Sequence, residues 1–168
     1  GEKALFARVE LADGKWEDRP LTIPDPPPIV ERVSFSSQDI ARSKDVPFVK
    51  DRVWQVDFCL VPQMMTAEKR PRSVYQLSVV DSAGPAPFIQ RLSINPEDGL
   101  KGLWESVPAR ILKLMLERGA VPGEIKLRSG RLFRLVRPLT MELPFKLSLH
   151  DSLSGIEELF RNGRDNMV

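Results

Sequence analysis

Residues 53–61 read VWQVDFCLV, a nearly continuous apolar run broken at its centre by one carboxylate, Asp57. A run this short and this rich in β-branched and aromatic residues predicts a strand buried on both faces. A chain with such a strand needs covering layers above and below it. It also needs a reason for Asp57, because a buried carboxylate is costly unless it is paired, hydrogen-bonded or metal-bound.

The segments that follow supply the neighbours. Residues 73–80, SVYQLSVV, predict a second strand ending at Asp81, and Ser82-Ala83-Gly84-Pro85 turns the chain into a third over 87–94. Short polar connections join antiparallel neighbours, so these three form a meander. Over 100–118, Leu103, Val107, Ile111, Leu114 and Met115 recur at helical spacing, with Pro108 at a kink or within a first turn. Gly119 and Pro122-Gly123 stop that helix. A strand over 124–127, a short helix over 132–139, a strand over 142–149 and a last helix over 153–161 complete the order β-β-β-α-β-α-β-α.

Upstream, residues 4–11 alternate apolar and polar side chains, Asp13-Gly14 is a turn signal, and 15–23 predict the return strand of a hairpin. Pro24-Asp25-Pro26-Pro27-Pro28 has too few backbone donors and too fixed a φ to extend a sheet, so it reads as a stiff linker. The expected organisation is a hairpin and linker over 1–30, an irregular or briefly helical connector over 31–52, and an α/β domain over 53–168. No internal repeat interrupts this order.

Composition bounds the rest. A chain of 168 residues can bury one good core with an appendage, and 42% hydrophobic with 29% charged residues is the balance of a folded globular protein. A net charge of +2 is too small to argue for nucleic acid by itself, so any such case rests on local clusters. The lone Cys59 cannot form an internal disulfide and fits a reducing, cytoplasmic compartment. No apolar stretch approaches the roughly 20 residues that span a bilayer, and Gly-Glu-Lys-Ala lacks the layout of a signal peptide. The expectation is a soluble protein with no membrane partner. An opening Gly without Met fits a piece of a longer chain.

The element order is the layout of the ribonuclease-H-like fold, a mixed five-stranded sheet, here preceded by a hairpin. VWQVDF resembles the Trp-x-x-Asp opening of integrase and transposase cores, SVYQLSVVDSAG their second strand and turn, and GEIKLRSG the strand that delivers their second catalytic Asp. This likeness covers roughly residues 53–163. The whole chain also resembles an uncharacterised bacterial family with a Pro-rich segment, V-W-E/Q-V-D, and a G-L-x-x-L-W helix start, here Gly99 to Trp104. That second resemblance implies an architecture and no activity.

The first resemblance implies a test. Integrase and nuclease sites converge three or four carboxylates on two divalent metals, magnesium or manganese, which activate water and stabilise an in-line displacement at phosphorus. Asp57 falls at the first position, as a metal ligand or as a hydrogen-bonded or strand-end carboxylate. At the second the sequence reads Leu127-Arg128-Ser129-Gly130, so Ser129 stands where a carboxylate is expected and Arg128 would repel a metal. Asp151, Glu157 and Glu158 are available for the third. Their simpler roles are a helix cap for Asp151 or Ser152, and a solvated face or first-turn dipole partners for Glu157 and Glu158. Asp81 reads as a turn residue.

The only histidine, His150, stands beside Asp151, a pair that could form an oriented base but lacks a nucleophile in the sequence. Cys59 reads as a small buried hydrophobe. Zinc spacings, phosphate-cradling glycine loops and dinucleotide fingerprints are absent from the sequence. Lys126, Arg128, Arg131, Arg134 and Arg137 fall within a stretch free of acids, which could offer guanidinium groups to phosphates, with Lys69-Arg70-Arg72 extending the patch. The simpler reading, the solvated side of a helix whose Leu132, Leu135 and Val136 face the core, is favoured. Trp16, Trp54 and Trp104 read as core anchors.

The sequence thus points to a non-catalytic ribonuclease-H-like binding or scaffolding domain without a cofactor. The alternatives are a divergent nuclease using Asp57 with Asp151 or Glu157 and magnesium or manganese, and a nucleic-acid module using the Lys126, Arg128, Arg131, Arg134 and Arg137 cluster. The partner is a protein or a nucleic acid.

Overall fold

The apolar run around Asp57 forms the middle of an 18-residue strand, β3 (Phe48–Met65), which starts before the expected Val53 and ends beyond Val61. The structure, a computed structural model, describes residues 5–21, 32–65, 72–84, 86–94, 97 and 99–165. It divides the chain into two compact units, 1–30 and 31–168. The proline linker and the Lys69-Arg70 pair lie outside the described residues.

The first unit contains the hairpin, β1 (Leu5–Glu10) antiparallel to β2 (Trp16–Leu21). Trp16 is 61% exposed there, which corrects its expected role as a core anchor. In the second unit, the connector expected to be irregular or briefly helical holds the short helix α1 (Ser37–Lys44), and its end, expected to precede the first strand, is already the start of β3. Ser36 starts α1 by accepting the Asp39 N–H, as an N-cap serine does.

The meander is as expected. β4 (Arg72–Asp81) runs antiparallel to β3, and β5 (Phe88–Ser93) antiparallel to β4. Helices then carry the chain across the sheet, which makes the later pairings parallel. After α2 (Gly99–Arg118), β6 (Val121–Leu127) pairs with β3; after α3 (Gly130–Val136) and a 3₁₀ turn (Arg137–Met141), β7 (Lys146–Leu149) pairs with β6. The sheet order is β5-β4-β3-β6-β7, with α4 (Ser154–Asp165) last. This is the expected mixed five-stranded sheet, its antiparallel meander first and its parallel pairings second.

Gly123 is required where β6 meets the irregular register of β3 between Val49 and Val53, because a Cβ there would collide with the Lys50 backbone carbonyl. Pro108 lies inside α2, beyond any first turn, and is itself buried. It removes one N–H from the helix ladder. β7 covers four residues, shorter than the expected 142–149; Pro144 cannot donate to a ladder, and Leu143 and Phe145 are buried without being in the strand.

The two sheet faces differ. On one, Trp54, Val56, Phe58, Leu77, Val79, Ile125 and Leu127 meet Leu103, Trp104, Val107, Ile111 and Met115 of α2 and Leu132 and Leu135 of α3. Each fully buried side chain of this size is worth about 1.5–3 kcal/mol, so this face holds most of the core energy. The opposite face carries Gln55, Asp57 and Cys59 beside Gln76 and Ser78, and Glu124 and Lys126 beside Lys146 and Ser148. α4 packs on β3 and β4 there. Its Ile156 and the preceding Leu153 are buried, and Gln55 Oε1 accepts the Gly155 N–H at 2.9 Å. The expected burial of β3 on both faces therefore holds only near its centre. No helix among the described residues is long and apolar enough to cross a membrane.

Candidate functional site

Asp57 is 3% exposed in the centre of β3 on the polar face. Its partner is Arg128, which follows the last residue of β6; Nη2 donates to Asp57 Oδ2 at 2.5 Å. The pair is asymmetric, since the Asp57 side chain is buried while that of Arg128 is 39% exposed. The parallel pairing of Val56 with Leu127 brings the two together, because the next residue on each strand is Asp57 and Arg128. Cys59 lies two residues further along the same face. Burial, then the Asp57 charge, push its thiol up to about 11, so Cys59 is protonated and weakly nucleophilic at neutral pH.

Ser129, at the expected second carboxylate position, is the N-cap of α3 and accepts the Leu132 N–H at 3.3 Å. Asp151 is exposed in the turn after β7, and Glu157 and Glu158 are exposed on α4. Glu157 does lie in the first turn. Neither Asp151 nor Ser152 flanks the helix, which begins at Ser154 with Leu153 accepting the Glu157 N–H, and that corrects the expected cap. Among the described residues, no three His, Cys, Asp or Glu side chains are grouped to hold a metal.

His150 faces Ser148, not Asp151. Ser148 Oγ donates to Glu124 Oε1 at 2.7 Å and lies 3.0 Å from His150 Nε2. With the hydroxyl proton on Glu124, His150 donates from Nε2, a tautomer assigned from the network. The order is carboxylate, hydroxyl, imidazole. A nucleophilic triad needs the imidazole in the middle, so this chain does not activate Ser148. The Ser148 hydrogen bond, with Lys146 and Lys126 adding to it against the effect of burial, holds the Glu124 carboxyl below its ordinary value.

The basic cluster is spread over several environments. Lys126 lies 3.9 Å from Glu124, Arg128 is on Asp57, and the Arg131 guanidinium stacks 4.3 Å above the Trp104 ring. Arg134 and Arg137 are exposed. Trp104 packs edge-on against Phe58 at 4.8 Å, so it is a core anchor as expected, as is Trp54.

A second aspartate with a largely covered side chain, Asp81, lies at the far end of the strand pair. Arg52 Nε and Nη2 bind Asp81 Oδ2 at 2.7 and 2.5 Å, and the Ala83 N–H donates to Oδ1 at 3.1 Å. Gly84 makes room, because a Cβ there would collide with the Asp81 carboxylate. Burial alone would raise the Asp81 carboxyl, but the hydrogen bonds from Arg52 and Ala83 and the Arg52 charge outweigh it and leave it below its ordinary value. The buried Trp54 Nε1 falls outside hydrogen-bond geometry, although its N–H dipole also favours the Asp81 charge. Asp81 is a turn residue, as expected. Its Arg52 partner, the Gln55 contact to α4 and the Glu124–Ser148 bond carry no motif in the sequence.

A family profile described as "Domain of unknown function (DUF6930)" matches residues 39–162, more than half of the chain. The chain belongs to this family. Comparison with curated proteins returns no matching relative. Among solved structures, the DUF6930 chain is similar to the HTLV-2 integrase catalytic core domain, a dimeric form in complex with magnesium. The identity is 15% and the TM-score 0.41, over 61% of this chain. The match spans 63% of that chain's length.

Proposed function

We propose that this DUF6930 domain is a non-catalytic binding module on a ribonuclease-H-like sheet, in which Arg128 takes the place of a metal beside Asp57. The supporting observation is the Asp57–Arg128 ion pair. A guanidinium hydrogen-bonded to the buried carboxylate supplies the counter-charge, and it repels a divalent cation at the same oxygen. The remaining donor set does not fit magnesium or manganese either: Ser129 caps α3, and Asp151 and Glu157 are exposed. Divalent metals favour several oxygen ligands, carboxylates first, around one point.

Thermal unfolding and fluorescence-monitored cleavage test this together. Millimolar magnesium or manganese is expected to leave the unfolding midpoint unchanged, and single- and double-stranded DNA and RNA are expected to stay intact. Metal-dependent cleavage that Asp57→Asn abolishes would sink the proposal.

A further inference from the structure

The hairpin of the first unit has two outer edges, and they are not equivalent. The Leu11 N–H donates to the Lys15 carbonyl at 2.7 Å, so along the register Val9 and Glu17 exchange backbone bonds, while Arg8 with Asp18 and Glu10 with Trp16 do not. In an antiparallel ladder the pairs that do not exchange bonds turn their N–H and C=O groups outward. On β1 these are Phe6, Arg8 and Glu10; on β2 they are Trp16, Asp18 and Pro20. Pro20 has no N–H to offer, which interrupts the outer edge of β2 and leaves that of β1 as the one open to another strand.

The middle of the β1 edge is uncovered. Arg8, Val9 and Glu10 are all exposed, Val9 by 37%. A two-stranded hairpin is marginal by itself in water, and further strands stabilise it. Glu10 forms no hydrogen bond or ion pair among the described residues. Arg8 donates to Asp18 through Nε at 3.0 Å with its side chain still 70% exposed, and a guanidinium has further N–H groups with which to hold a second carboxylate.

The Arg8-Val9-Glu10 sequence is complementary to a copy of itself. Antiparallel pairing about Val9 joins the outward groups of Arg8 and Glu10, and it sets Arg8 of each copy opposite Glu10 of the other. The two Val9 side chains then face each other at the centre. Pairing about Arg8 would instead oppose two arginines, which disfavours that register.

We propose that the outer edge of β1 pairs with the same edge of a second copy of this chain, joining two hairpins into one four-stranded sheet centred on Val9. The proposal concerns the first unit and goes beyond the metal-exclusion reading of the second.

Sedimentation equilibrium of the full chain over a concentration series tests it, with Arg8→Glu and Glu10→Arg measured singly and as an equal mixture. The wild-type chain is expected to dimerise. Each variant alone sets like charges opposite each other at both contacts and should weaken dimerisation at least about tenfold, whereas the mixture restores opposite charges and should recover it. In a Cys59→Ser background, oxidation of Val9→Cys should give a covalent dimer, because facing positions of this kind have Cα atoms about 4.5 Å apart; Glu17→Cys on β2 should not. A wild-type chain that stays monomeric at millimolar concentration, or a mixture that fails to recover the dimer, would overturn the proposal. Dimerisation that survives both charge variants places the contact on another surface and overturns it as well. Metal-dependent cleavage overturns the metal-exclusion reading alone.

Discussion

Two aspartates with covered side chains, in neighbouring strands, are neutralised by arginine in opposite ways. Asp81 and Arg52 are both largely covered, with side chains 7% and 14% exposed, and a backbone N–H completes the carboxylate. Asp57 is as buried as Asp81, but its arginine reaches it through one contact and remains substantially exposed. The first arrangement closes a strand corner and leaves the cation little spare surface. The second satisfies the carboxylate while keeping a guanidinium in contact with solvent. Ion-pair identity alone therefore does not distinguish the two arrangements; the exposure of the cation does.

The largest effect that sharpens this contrast is in Arg52→Ala. It leaves a buried carboxylate without its counter-ion, and the expected loss is about 3–5 kcal/mol by urea denaturation. Arg128→Ala should cost less, about 1–3 kcal/mol, because water can reach the space the exposed guanidinium leaves. Equal losses in the two variants would break the comparison and make both pairs structural.

The acid limb of stability separates the pairs next. A carboxyl held below its ordinary value adds stability above that value, 3.8 for Asp81, and the contribution is lost as pH falls through the lower folded value. Wild type and Arg128→Ala should share this acid loss. Arg52→Ala should flatten it. Urea midpoints measured from neutral pH down to below the ordinary carboxyl value decide the matter.

The smallest effect is chemical. With the Cys59 thiol at about 11 against an ordinary 9.0, its thiolate fraction at mildly alkaline pH falls about a hundredfold. The higher basicity of that thiolate offsets about tenfold of the loss, so iodoacetamide should react about tenfold more slowly with folded than with unfolded protein. Arg128→Ala should slow it further, since the Arg128 charge lowers the thiol, while Arg52→Ala should leave it unchanged.

Much of this sheet was legible in the residues. The apolar runs at 53–61 and 73–80 and the turn at Ser82 to Gly84 specify strands and an antiparallel meander, because period and turn chemistry are local. Helical spacing in Leu103, Val107 and Ile111 implies a crossover and so a parallel β6. The ends were less legible: β7 is truncated where Pro144 breaks the ladder, and Trp16 lies in a hairpin that exposes it. At the candidate site, the sequence showed that Asp57 needed a partner and that Arg128 stood where a metal would be repelled. It did not show that these were the same fact.

The sequence by itself determined the strand and helix order, the polar residue inside an apolar strand, and the replacement of a second carboxylate by Ser129, since these depend on residue type and spacing. Only the tertiary structure decided that Arg128 neutralises Asp57, that Arg52 rather than a metal satisfies Asp81, and that β3 extends past β6. Those contacts join residues 71 and 29 positions apart, and the register of strand pairing, which no local pattern encodes, sets them.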